Sequence, residues 1–290
     1  MISAQEVSKL RARTGAGMME CKKALEEAGG DAERAAQILR ERGVLKAAAR
    51  AERIAAEGIV AAAVSPDRRS GVLVEVNCET DFVGQSEAFV SFTDAVAAAA
   101  LAEAPAVLAD LLSVKLASGQ SVAEAAPALS LTVGEKITVR RFHRLTASRG
   151  KIFSYRHGSR LGVLVELAGG TPELALDVAL QVAASRPKCL DRSQVTAADL
   201  QSERELYAKQ LREQGKPEAM IENIVRGKLE KFYGEVCLLD QPFIKEEKIT
   251  IKQRLAQHQA EALQFARFEL GEGIAKAEKD FASEVAAQLG

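Results

Sequence analysis

Residues 71–83 read GVLVEVNCETDFV, and residues 162–167 read GVLVEL. Each run opens on glycine and continues with β-branched and leucine side chains around one glutamate, which is strand composition. Each follows another strand-like segment and a polar turn. The first copy has 58–64 and then Pro66-Asp67-Arg68-Arg69-Ser70, and the second has GKIFSYRH at 150–157 and then 158–161. The offset of 91 residues that aligns the two runs also aligns Thr80 with Thr171, each placed to cap a following helix. A shared element order with a shared cap residue favours duplication over coincidence. The chain is therefore expected to be α+β, with a core of two related β-β-α-type subdomains.

Outward from that repeat, the periodicity is helical. Residues 1–42 hold three short helical patterns. Thr14-Gly15-Ala16-Gly17 breaks the first, Gly29-Gly30 stops the second, and Asp31 caps a third that ends at Gly43. Residues 44–57 (VLKAAARAERIAAE) read as a basic helical linker. Segments 85–102, 104–112 and 121–127 read as helices, and EKITVRRFHRL at 135–145 alternates as a strand. Two charged helices at 196–213 and 217–232 interrupt the second copy of the repeat. Leu200, Tyr207 and Leu211 give one apolar stripe, and Met220, Ile221, Ile224, Val225 and Leu229 give the other. Glu205 with Lys209 and Glu222 with Arg226 add favourable i,i+4 pairs. This is a helical hairpin, either projecting as an antiparallel coiled coil or packed flat on the core. Strand-like sequence returns at 236–244, followed by a helix at 249–257, a strand at 260–270 and a last helix at 278–288.

Composition narrows the function. At 47% hydrophobic and 27% charged, 290 residues build a folded protein of more than one domain. Lys+Arg 39 against Asp+Glu 40 argues against nucleic acid held by bulk positive charge. Cys21, Cys78, Cys189 and Cys237 are far apart, with no CxxC pair, so four reduced thiols are expected and neither zinc nor a disulfide framework. No signal peptide is visible, and the apolar run AVAAAALA at 95–102 is too short for a bilayer, so a cytoplasmic protein without a membrane partner is expected.

Catalytic motifs are missing. GxxxxGK[ST], GxGxxG after a strand, HExxH and GxSxG do not occur. His143, His157 and His258 lack neighbours at metal-ligand spacing. Glu75 and Glu166 hold equivalent positions in the repeat. Both are expected to point outward from alternating strands with solvated carboxylates. No catalytic residue, metal ligand or cofactor is assigned.

The internal comparison isolates one anomaly. Pro172 and Glu173 follow Thr171 as ordinary first-turn residues. Asp81 and Phe82 follow Thr80. Asp81 suits the helix dipole, whereas Phe82 stands where the other copy has only a charge. Phe82 either folds back into its own core or is an exposed aromatic anchor for a partner.

NCETDFV strongly resembles the signature of the elongation factor Ts family, bacterial guanine-nucleotide exchange factors for the GTPase elongation factor Tu. So do RTGAGMMECKKAL at 13–25, YRHGSRLGVLV at 155–165, GKPEAMIENIVRGKLEKF at 215–232 and FARFELGEGI at 265–274. The matches run in the family's order from the first helix to the last strand, with little similarity at 66–70 and 101–132. The resemblance implies a ubiquitin-associated-like three-helix domain at 1–43, a helical linker at 44–57 and a first core subdomain at 58–145. The second core subdomain would span 146–195 and 233–270, the coiled-coil insertion 196–232 and a C-terminal helical module 271–290. It implies that Thr80, Asp81, Phe82 and Val83 enter the partner's GTPase domain, where Mg²⁺ is dislodged. Arg11, Met18 and Met19 would help the N-terminal domain grip that domain, and His157 would face a second domain of the partner. The implied partner is elongation factor Tu, GDP-bound and nucleotide-free, with no direct nucleic-acid contact. A homodimer or 2:2 complex through the coiled coil stays open. The competing expectation is a non-enzymatic interaction scaffold that uses the ubiquitin-associated-like module for another protein.

Overall fold

The computed structural model describes residues 2–274, and the backbone alone over 44–49. The helix expected at 278–288, and most of 271–290 with it, lies outside the described residues. The structure mixes helices with small sheets, an α+β protein. Within the described range it falls into two compact units. One takes the chain up to Ala61, Val74–Phe142 and the segment from Glu269 on, and the other takes Ala62–Leu73 and His143–Phe268.

The first unit begins with three helices, α1 (Ala4–Thr14), α2 (Met18–Glu27) and α3 (Ala32–Ala49). Ser3 and Glu6 form a capping box at the start of α1, and Gly15 closes it with φ +69°. Val7, Leu10, Cys21, Leu25, Ala35 and Leu39 are buried between the helices. Arg13 ties the ends together, donating to Glu33 (2.5 Å) and to the Ala32 carbonyl (2.6 Å). The third helix, expected to stop at Gly43, runs on to Ala49. Gly43 faces Leu131 of a later helix, where a Cβ would stand 3.5 Å from the leucine methyl, so close packing holds the helix past a residue that favours coil.

Strands β1 (Glu57–Val64), β2 (Ser70–Cys78) and β3 (Thr138–Thr146) form a sheet in that order. Between β2 and β3 come α4 (Asp81–Gly84), α5 (Glu87–Glu103), α6 (Leu108–Ser113) and α7 (Val122–Val133). The expected helix at 121–127 is longer because Pro127 lies inside α7 rather than ending it.

The second unit is built on β4 (Lys151–His157), β5 (Leu161–Ala168) and β8 (Glu261–Glu269), ordered β4-β5-β8. β4 and β5 are antiparallel, from Lys151 opposite Leu167 to His157 opposite Leu161. Helix α8 (Pro172–Ser185) packs on this sheet through Leu174, Val178 and Val182. The long pair α9 (Ala197–Glu213) and α10 (Glu218–Val236) follows, with a cluster made wholly of its own residues, Leu211, Ile221, Val225 and Leu229 with Leu200, Tyr207 and Ile224. The strand-like run at 236–244 is instead the end of α10, a 3-10 turn at Leu238–Asp240 and the short strand β6 (Pro242–Phe243). β7 (Glu246–Thr250) pairs with it antiparallel, and α11 (Ile251–Gln257) leads to β8. Gln181 fixes the return from the hairpin. Its amide donates to the Gln241 side chain (3.1 Å) and the Pro242 carbonyl (3.1 Å), and its oxygen accepts from Ile244 N (2.9 Å).

The two repeat glutamates are not solvated. Both are fully buried, because β2 and β5 are covered on both faces. Glu75 accepts from Arg140 (2.9 Å), Arg141 (2.5 Å) and the Gly271 amide (2.9 Å). Glu166 accepts from the amides of Ser148 (2.7 Å), Arg149 (3.1 Å) and Gly150 (2.8 Å), and from Gln264 (2.6 Å). Burial alone would raise both carboxyls. For Glu75 the Gly271 amide, Arg141 and Arg140 outweigh it. For Glu166 the Gly150 amide, Gln264 and Ser148 do so, and both groups lie below the usual glutamate range.

Candidate partner-binding site

Strand β2 delivers the chain to Thr80, which stays extended (φ −123°, ψ 155°) and caps α4, its hydroxyl accepting from Val83 N (3.3 Å). A second clamp holds the turn from outside. Glu135 accepts from the amides of Glu79 and Thr80 (both 3.0 Å) and from the Thr80 hydroxyl (2.6 Å). Glu79 in return accepts from the Lys136 amide (2.7 Å), so the start of α4 is locked to the segment before β3. Neither glutamate carried a sequence signal, since their pairing depends on a contact more than fifty residues away along the chain.

Two glycines set the floor of the turn. Gly58 has φ +135°, and a Cβ there would sit 2.1 Å from the Val76 carbonyl oxygen. Gly84 is buried, with Gly58 Cα and the Cys78 sulfur as the nearest neighbours of any added Cβ (3.4 and 3.5 Å). The chain is therefore anchored on both sides of Phe82. Cys78 donates to the Thr80 carbonyl (3.0 Å), and burial pushes its thiol up to about 12.

The turn has one buried side, at Gly84, and Phe82 points away from it. The ring is 83% exposed, Asp81 is exposed and Val83 is half-buried. Of the two readings open for Phe82, the core one does not hold. At the equivalent place in the second unit, Thr171 caps α8 by accepting from Leu174 N (3.3 Å), and the first large apolar residue there, Leu174, is buried. An aromatic ring standing free on a rigid turn is a knob, suited to a pocket on another protein.

The other residues taken from the resemblance are distributed over both units. Met18 and Met19 open α2 with 43% and 64% exposure, and Arg11 is exposed in the last turn of α1. They share the first unit with Thr80–Val83, whereas His157 belongs to the second. His157 is exposed at the end of β4, its Nδ1 3.1 Å from the Tyr155 hydroxyl. A cleft of about 920 Å³ lies between α3 and α7, lined by Arg34, Gln37, Arg40, Glu124 and Leu131 among others, and contains none of these residues. Among the described residues, no three His, Cys, Asp or Glu side chains converge as metal ligands, and no helix is long and apolar enough to cross a membrane.

The family model for Elongation factor TS matches residues 79–272. The chain is 46% identical over 288 residues to an elongation factor Ts of Methylococcus capsulatus, covering 99% of this chain and 98% of that one. It is 48% identical over 287 residues to that of Alkalilimnicola ehrlichii, with the same coverage. Against that of Clostridium botulinum it is 43% identical over 302 residues, with both chains covered completely. The chain belongs to the elongation factor Ts family, which places it among translation elongation factors.

Proposed function

We propose that this chain is a guanine-nucleotide exchange factor that binds elongation factor Tu in its GDP-bound and nucleotide-free forms, dislodges Mg²⁺ and promotes release of GDP so that GTP can bind. The observation that carries this reading is Phe82, 83% exposed on a turn held by Thr80, Glu79 and Glu135. Such a knob brings its shape to the partner without first having to be ordered. Burying one phenylalanine supplies about 1.5–3 kcal/mol, so further contacts must contribute. Asp81 and Val83 flank the ring, Arg11, Met18 and Met19 add a second contact to the GTPase domain, and His157 addresses another domain of the partner.

No covalent bond is made or broken. The factor acts by binding best the partner state that holds GDP worst, and by reciprocity bound nucleotide weakens the factor by the same ratio. In the partner, Mg²⁺ offsets phosphate charge. A ring wedged beside its site shifts that balance, because packed interiors switch between discrete arrangements.

The architecture that goes with this function is a ubiquitin-associated-like three-helix domain at 1–43, a linker at 44–57, related β-β-α subdomains at 58–145 and 146–195 with 233–270, an antiparallel coiled coil at 196–232 and a C-terminal module at 271–290. The protein works in the cytoplasm, without direct nucleic-acid contact, and the coiled coil is the surface for any homodimer or 2:2 complex. Release of fluorescent GDP from purified elongation factor Tu tests the proposal. Acceleration by sub-stoichiometric amounts of this chain is expected. An unchanged release rate would turn the reading toward a scaffold that uses its N-terminal helices for another protein.

A further inference from the structure

Cys189 and Cys237 are 48 residues apart in sequence, yet they meet at the root of the α9–α10 hairpin. All four cysteines are free thiols, as expected, but these two are brought together because the chain leaves for the hairpin and returns at the same place. The two residues form an isolated parallel β-bridge. Cys189 N donates to the Val236 carbonyl (3.2 Å), and Leu238 N donates to the Cys189 carbonyl (2.9 Å). Their sulfurs are 3.5 Å apart. Bridged backbones place the Cα atoms roughly 5 Å apart, inside the range of about 4.4–6.8 Å in which two cysteines can be joined without moving the backbone. Access is unequal. Cys237 is buried, whereas Cys189 is half-buried and lines a cleft of about 270 Å³ with Gln194, Asp199 and Phe232.

We infer that Cys189 and Cys237 are an oxidisable dithiol, which a small-molecule disulfide closes into an intramolecular disulfide at the root of the hairpin. The Cys189 thiolate, reached through the cleft, attacks one sulfur of the reagent and expels the other half as a thiol, leaving a mixed disulfide on Cys189. The Cys237 thiolate then attacks the Cys189 sulfur and expels the second half. Two protein thiols become one disulfide, the reagent is reduced to two thiols, and the two protons end on those thiols. Burial raises the Cys189 thiol, and it raises Cys237 to about 12 with help from the hydrogen bond between them. Thiolate is therefore scarce near neutrality, so closure is slow, and the disulfide resists reduction once formed.

The test uses the full chain, reduced and then incubated for hours with glutathione disulfide at mildly alkaline pH. Buried Cys21 and Cys78 serve as internal controls. Alkylation under denaturing conditions should find free thiols falling from four to two, with peptide mapping joining residues 189 and 237. Dithiothreitol should restore all four. The melting temperature should rise by several degrees in the oxidised form, since the bridge restricts the unfolded chain. Cys237→Ser should instead retain glutathione on Cys189. Four free thiols after incubation, a glutathione adduct on the unsubstituted chain that never closes, or a bridge between two chains would each overturn the inference.

Discussion

Phe82 exposes most of its ring at the tip of a turn that other residues hold in place. Truncating it should leave no cavity. Phe82→Ala is expected to shift stability by no more than about 0.5 kcal/mol, where a core phenylalanine would cost about 3–5 kcal/mol. Under the proposed function the same change slows GDP release from the partner, by about tenfold for each 1.4 kcal/mol of coupling lost. Thermal melts with exchange kinetics separate the two. A large loss of stability with normal exchange per folded molecule would sink the wedge role. Gly58, buried beneath the same turn, makes the opposite case. Its φ of +135° and the Val76 carbonyl, 2.1 Å from where a methyl would stand, leave no room for a side chain. Gly58→Ala should destabilise the protein by about 3 kcal/mol or more, and chemical denaturation would show it as a lower midpoint.

At the scale of elements, the hairpin is the most separable part, because its apolar cluster contains only its own residues. Replacing 196–232 with a short Gly-Ser linker should leave the rest folded, with most exchange activity retained. Circular dichroism and GDP release check those halves, and light scattering reports whether self-association goes with the hairpin. These helices were plain in the sequence because their apolar stripes recur at helical spacing and their charges pair at i,i+4. The strands of the GVLVE repeat and the Thr80 and Thr171 caps were legible for the same local reasons. What was not legible depended on contacts between distant segments. Gly43 looks like a helix end until Leu131 packs against it. Residues 236–244 look like one strand until the Gln181 and Gln241 amides claim the backbone there. At the candidate site, sequence singled out Asp81 and Phe82 but could not decide which way the ring faced, because that depends on Gly84 taking the buried side.

Across the whole molecule, each compact unit encloses one ionised glutamate at the same position of the repeat, Glu75 in one and Glu166 in the other. Both carboxyls titrate below the 4.5 of an ordinary glutamate. The unfolded chain therefore binds these protons first as pH falls. The stability they contribute is complete above about 4.5 and is lost as pH drops through their lower folded values. Glu75→Gln should cost about 1–3 kcal/mol near neutrality, because it removes a buried carboxylate shared by two partly buried guanidinium groups, which keep their partners at Glu269 and Glu272. It should also flatten the fall in stability below pH 4.5, as urea titrations over a pH series would show. The two carboxylates reach the same end by unlike means. Glu75 is held by the Gly271 amide and by the side chains of Arg140 and Arg141, which single substitutions can delete. Glu166 is held mainly by the amides of Ser148, Arg149 and Gly150, which substitution of a side chain leaves in place. In that second loop the Ser148 hydroxyl adds a further hydrogen bond (3.0 Å), and Gly150 admits no side chain, since a Cβ would stand 2.4 Å from the Leu167 oxygen. Two guanidinium groups carry much of the charge balance in one unit and three main-chain amides carry much of it in the other, so the same mutational load falls unequally on two copies of one motif.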